Sequence, residues 1–350
     1  MSTLSMTRGW SWTPDKRPWF RQIGQKIRAW ESNPVLELDD DPLCAALEQA
    51  AENHDGWLAH PCVSVLTSSR DARTSVRDLQ LAVWTAANVP GSLGKFVLLE
   101  PAWVWTPGGG VELAPGCHDL EEVAQRVAGS DWPASIALDA WCHSIGFALD
   151  ASWAEAGFNS AQEEAGFQRN VVDFLHAMHW ADSTLPAAGA WLTSVTKVAI
   201  PLRWDGKPGP MFRSGSMVDI PGMVALDVFG GEVQILEALV HESAHHHLYI
   251  AETDAPLIAA GCQQRFHSPL RPEPRPLRGI MLAYHALAYI CLFYEEATRS
   301  GLATPKGALS QLQSQLEDAE STLLANRHLL TPAGAEFLER TLEVANHVGP

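Results

Sequence analysis

The stretch that follows Gly230-Gly231 constrains this chain most. From Glu232 to about Ile250, Val233, Leu236, Val240, Ala244 and Leu248 recur at intervals of three and four residues. That spacing belongs to an amphipathic helix with one buried face. In its middle stands His241-Glu242-Ser243-Ala244-His245. Histidines four residues apart are offset by about 40° around a helix, so both imidazoles reach one point from one side.

Two neutral imidazoles converging on one point are the beginning of a metal site, suited to zinc, iron(II), copper or nickel. Glu242, next to the first histidine, points partly towards the same site. In a zinc hydrolase it would be the general base on metal-bound water, and in an iron site a ligand or a supporting partner. The alternative is a solvated, histidine-rich helix face with no ion. His246 and His247 point away from the pair and read as flanking residues. A five-residue pattern is weakly specific by itself; the well-patterned helix around it adds weight.

A third ligand is required. The extended protease pattern fails, because Leu248 and Ala251 occupy its Gly and His positions. Glu252, Glu295 and Glu296 are candidates, and so is His285, in the apolar helix expected from Gly279 to about Arg299. Arg278 lies two turns before His285 and Glu296 three turns after it, all on nearly one face. A cation beside a metal suits an enzyme that holds an acidic cosubstrate, which favours His285 as the ligand.

The segment from Ser268 to Leu277, Ser-Pro-Leu-Arg-Pro-Glu-Pro-Arg-Pro-Leu, carries four prolines and is expected to be an irregular loop. Together with the His241–His245 motif, this loop and the helix after it resemble the HExxH-motif proteins of peptide-modification clusters. These belong to the biosynthesis of ribosomally made, post-translationally modified peptides. The resemblance spans roughly residues 215–299. It implies an iron(II)- and 2-oxoglutarate-dependent dioxygenase that hydroxylates a β-carbon of a substrate peptide; a carrier-bound amino acid is the alternative substrate, and a peptide partner can carry a leader segment. It also implies iron on His241, His245 and His285, and the distal carboxylate of 2-oxoglutarate on Arg278 or Arg275. Two other readings stay open. One is a zinc metallopeptidase or amidase with Glu242 as base; the other is a non-catalytic peptide-binding protein.

The rest of the chain supplies context. Its 350 residues can bury a large core. Lys plus Arg is 24 against 41 Asp plus Glu, a formal charge of −17, which repels nucleic acid and anionic membranes. Six scattered cysteines form no Cys-x-x-Cys pair, as expected of a reduced cytoplasmic protein. No signal peptide and no membrane span are expected.

Residues 1–150, with irregular stretches such as Thr106-Pro107-Gly108-Gly109-Gly110 and a short buried strand at 96–99, read as a separate N-terminal region, a candidate for peptide binding. Residues 151–350 read as the metal-binding catalytic domain. Ser160 to Glu163 has the form of a capping box, opening a helix whose apolar face runs through Val171, Val172, Leu175 and Met178. His176 and His179 on that helix read as surface residues. Strands follow at 195–204 and, around a Pro221-Gly222 turn, at 217–229. Thr304-Pro305 and Thr331-Pro332 open two further helices. The expected fold is α+β, mainly helical, with a small antiparallel sheet ahead of the motif helix.

Overall fold

The computed structural model describes residues 9–15, 17–28, 95–98, 101–106, 109–127, 137–138, 158–160, 167–204, 214–216, 218, 222–227 and 231–348, with short pieces at 45–46, 49–50, 52–53, 82–83 and 85–86. The protein is a mainly helical α+β fold. Eight helices are described: α1 (Arg17–Arg28), α2 (Leu120–Val127), α3 (Phe167–Thr184), α4 (Pro186–Val195), α5 (Glu232–Glu252), α6 (Leu277–Arg299), α7 (Ala308–Ala325) and α8 (Pro332–Ala345).

Helix α6 is the centre of the C-terminal half. Its sequence is apolar on nearly every face, and it packs against α5, α7 and α8. Among the described residues it alone is long and apolar enough to cross a membrane, and it is buried in the core. Two polar contacts set its direction against α5. Arg278, at the start of α6, pairs with Glu252 at the end of α5, and the Tyr294 hydroxyl, late in α6, donates to Glu237, early in α5. The two helices are therefore antiparallel. Helix α5 buries Val233, Leu236, Val240, Ala244 and Leu248 as its periodicity requires.

Five strands form the sheet beside α5: β5 (Ala137–Leu138), β6 (Phe158–Ser160), β7 (Val198–Trp204), β8 (Ser214–Ser216) and β9 (Met223–Asp227). The turn before Met223 places Gly222 at φ 92°, a conformation glycine adopts without strain, and β8 and β9 pair antiparallel around it. That second reversal makes β9 run parallel to β7, so the sheet is mixed and not purely antiparallel. Residue 195 closes α4, a helix absent from the sequence-based expectation, and β7 starts three residues later.

Local patterns elsewhere hold in part. Ser160 ends a strand, and 161–166 lie outside the described residues, so the capping box is not where α3 is seen to begin. The buried face of α3 is Phe174, Ala177, Met178 and Ala181, whereas Leu175 is 55% exposed; His176 and His179 are exposed. Helix α7 starts at Ala308 after Gly307 at φ 80°, not at Thr304-Pro305. Helix α8 begins at Thr331-Pro332 as expected, with the Thr331 hydroxyl accepting from the Gly334 N–H at 3.0 Å.

In the N-terminal region β1 (Lys95–Leu98) pairs with β4 (Gly116–Asp119). The glycine-rich stretch forms a hairpin, β2 (Ala102–Thr106) with β3 (Gly109–Leu113), its tip at 107–108 outside the described residues. The tryptophan-bearing segment 9–15 joins the C-terminal core. Trp10 is 3% exposed within it, and its indole N–H donates to Glu296 at 2.8 Å.

The proline-rich segment is not irregular. Strands β10 (Arg265–Ser268) and β11 (Arg271–Pro276) pair antiparallel. A two-stranded ribbon leaves every second N–H of each strand facing away from its partner. Prolines two apart, at 272, 274 and 276, therefore remove no ladder bond.

Candidate metal centre

Helix α5 presents two sides. One is buried on α3, α4 and the sheet. The other carries His241 and His245, both half-buried, into a cavity of about 440 Å³. Their rings lie 4.4 Å apart, centre to centre. Donor atoms of His241, Glu242 and His245 all fall within 4.8 Å of one another, and among the described residues this is the group of three suited to a metal.

Glu242 is 2% exposed. One carboxylate oxygen accepts from the Ser214 hydroxyl at 2.8 Å, and the other lies 3.2 Å from His245 Nδ1. Ser216, two residues on in β8, lies 3.5 Å from the same nitrogen. The edge strand thus orients the group through two hydroxyls spaced by one strand repeat.

The electrostatics suit a cation. Burial pushes the His241 imidazole down to about 4, helped by His245 and Arg271 and opposed by Glu242. Its lone pair is therefore available at neutral pH. Burial alone would raise the Glu242 carboxyl, but His245, His241 and Ser216 outweigh it and hold the group below its ordinary range, as the anion. Two imidazoles and one carboxylate make a donor set that fits a divalent transition ion, iron(II) or zinc.

The other nominated ligands lie elsewhere. His285 is fully buried and outside the group of three. Its Nδ1 is 2.8 Å from the Thr341 hydroxyl, which itself donates to the Phe337 carbonyl. The imidazole nitrogen is therefore the donor. Its ring packs among Trp12, His247, Tyr289 and Phe337. Burial, then His245, pushes it down to about 3, so it is a neutral core histidine. Glu295 is within 3.7 Å of Arg299, and Glu296 accepts from Trp10. Glu252 takes a bidentate grip from Arg278, at 2.6–2.9 Å, and that guanidinium also covers the Tyr249 ring. Two nominated residues, Arg278 and Glu252, thus neutralise each other away from the cavity.

His246 and His247 are buried, not solvated, and His246 Nε2 is 3.0 Å from the Met223 carbonyl. They flank the pair without joining it.

Arg275 does line the cavity, and so does Arg271, which motif reasoning passed over. The signal for it was strand periodicity: positions 271 and 275 share one face of β11. Gly279, at the first turn of α6, lets Arg275 lie close; an added Cβ there would meet Arg275 Cβ at 3.3 Å. Leu282, also passed over, faces the same cavity from α6. Compared with known proteins, the chain matches no family model and no curated protein.

Proposed function

We propose that this protein is an iron(II)- and 2-oxoglutarate-dependent oxygenase that hydroxylates an unactivated carbon, the β-carbon of a peptide residue. One observation carries the reading. Two half-buried histidines, with the buried Glu242 carboxylate beside them, line the same cavity as two guanidiniums, Arg271 and Arg275. The charge at Arg271 is disfavoured first by burial, then by Arg275, against a smaller help from Glu273. A carboxylate seated between the two arginines relieves both effects, and bidentate guanidinium contacts suit it. A dicarboxylate cosubstrate held at the metal donors would find guanidinium partners for its far carboxylate in the same cavity.

In this reading His241, His245 and Glu242 hold the metal, and Ser214 keeps the Glu242 carboxylate in place. Arg271 and Arg275 hold the distal carboxylate of the cosubstrate, and the aliphatic wall of α6 excludes water. Iron(II) with 2-oxoglutarate supplies the activation of dioxygen needed to hydroxylate an unactivated C–H bond. The set of His241, His245 and a carboxylate follows the two-histidine, one-carboxylate pattern that leaves open positions on iron. Glu242 takes the place that the sequence offered to His285.

The test is anaerobic addition of iron(II), then 2-oxoglutarate, followed by visible absorption. A weak band that needs both additions, is lost in His241→Ala and needs more cosubstrate in Arg271→Ala supports the reading. Absence of the band, with zinc retained in stoichiometric amount and Glu242-dependent peptidase activity, replaces it with the zinc hydrolase.

A further inference from the structure

The cavity beside the histidine pair carries opposite charges on different walls. Arg271 and Arg275 line it from β11, and Glu237 lines it from α5. Glu237 stands four residues before His241, so the two are neighbours on one helix face. The antiparallel packing of α5 and α6 fixes the order along the groove. Glu237 meets Tyr294, late in α6, while Arg275 abuts Gly279 at its start. The two histidines therefore lie between the carboxylate and Arg275.

The Glu237 carboxylate is held in place. The Tyr294 hydroxyl donates to one of its oxygens at 2.7 Å, from a ring that is buried. Burial, then Glu237 itself, pushes that hydroxyl above its ordinary range. Tyr294 thus remains a donor, and its hydrogen bond favours the ionised carboxylate. Leu287 and Ile290 line the same cavity from α6 and supply an aliphatic surface. A fixed carboxylate beside aliphatic side chains matches a ligand with a methylene stem and a cationic tip, as in lysine or arginine. The four bonds from a lysine β-carbon to its ammonium span about 5 Å. The rise from Glu237 to His241 is about 6 Å, nearly the same length. The formal charge of −17 on the chain attracts cations at longer range.

We propose that Glu237 recognises a basic group of the substrate, the ammonium or guanidinium of a lysine- or arginine-like side chain. The aliphatic stem lies along Leu287 and Ile290. This rests on the oxygenase reading for its chemical consequence, which is that the hydroxylated β-carbon belongs to a basic residue. The dicarboxylate cosubstrate and the substrate then use opposite charges of one cavity, so neither takes the other's place.

Ligand-observed NMR on the metal-free, full-length protein tests this with n-butylamine, which has the shape and charge of a lysine side chain, against butan-1-ol. At pH 7 the amine should bind about tenfold more tightly than the alcohol, because its hydrogen bond to the carboxylate is charged. Glu237→Gln keeps an acceptor for Tyr294 but removes the charge. It should erase the amine's advantage and leave the affinity for butan-1-ol unchanged. Glu237→Asp keeps the charge and should keep most of the advantage. The wild-type comparison and this second variant carry the test if Glu237→Gln folds poorly. Equal affinity of amine and alcohol in the wild type, or an advantage that survives Glu237→Gln, overturns the proposal. Because no metal is present, the outcome is separate from the oxygenase test. An amine preference without the iron–cosubstrate band keeps the cation site and removes the oxygenase; the band without the preference removes the cation site alone.

Discussion

Acidification between pH 7 and 5 probes the place of His285 directly. An exposed histidine in the unfolded chain takes up a proton near pH 6.5, while the buried ring does so only near 3. Below 6.5 the unfolded state therefore binds more protons than the folded state. Stability falls as the pH is lowered from 6.5 towards 3 and is indifferent to pH above that window. For this one ring the loss from pH 7 to pH 5 is about 2 kcal/mol, since each unit below 6.5 costs about 1.4. His285 is fully buried, so solvent screening does not reduce the figure. His246, held down to about 4 chiefly by burial, acts in the same direction and steepens the wild-type curve.

The contrast with His285→Asn isolates the single ring, because asparagine keeps a donor for Thr341 and does not titrate. Urea unfolding at several pH values, followed by tryptophan fluorescence, is the assay; Trp10, Trp12 and Trp191 lie in the same cluster. The variant should start less stable at pH 7 and lose about 2 kcal/mol less than wild type by pH 5. Parallel curves would refute the buried, neutral assignment. Loss of iron or zinc binding in the folded variant at pH 7 would return His285 to the metal.

Three further outcomes follow from single contacts. Arg278→Ala should cost about 1 kcal/mol in urea unfolding, because its bidentate pair with Glu252 is partly exposed. It should leave 2-oxoglutarate affinity unchanged, whereas Arg271→Ala should weaken it at least tenfold; equal effects would contradict the placement of the two arginines. Gly334→Ala puts a Cβ 1.9 Å from the Leu257 carbonyl oxygen, and thermal unfolding should show a loss of roughly 3 kcal/mol or more. Trp10→Phe removes the donor to the buried Glu296 carboxylate and should cost about 1–3 kcal/mol. A neutral result would mean that segment 9–15 does not dock on α6.

How far each feature was legible depends on the range of the interaction that decides it. Helix α5, with its buried stripe and its histidine pair, follows from spacing alone, because 3.6-residue periodicity is local. The Thr331-Pro332 start of α8 is equally local, being a hydroxyl and a ring acting within one turn. The proline-rich ribbon was misread because proline reports only its own missing N–H. Whether that N–H faces a partner strand is a matter of pairing.

That His285 and Glu296 stay away from the histidine pair was beyond local reasoning for a related reason, whereas Glu242, on the pair's own helix, was within it. Periodicity ranks Arg278, His285 and Glu296 onto one face of α6 but says nothing of how that helix is rotated against α5. Packing turns Leu282 and Ala283 into the groove and His285 towards Trp12 and α8. The antiparallel register then brings Arg278 onto Glu252. What the sequence determined by itself is that two imidazoles on one helix share a point in space. Which side chains of α6 stay out of that point, and which arginines line the cavity, was decided only by the burial of apolar surface between helices. That burial selects the rotation and register no single segment encodes.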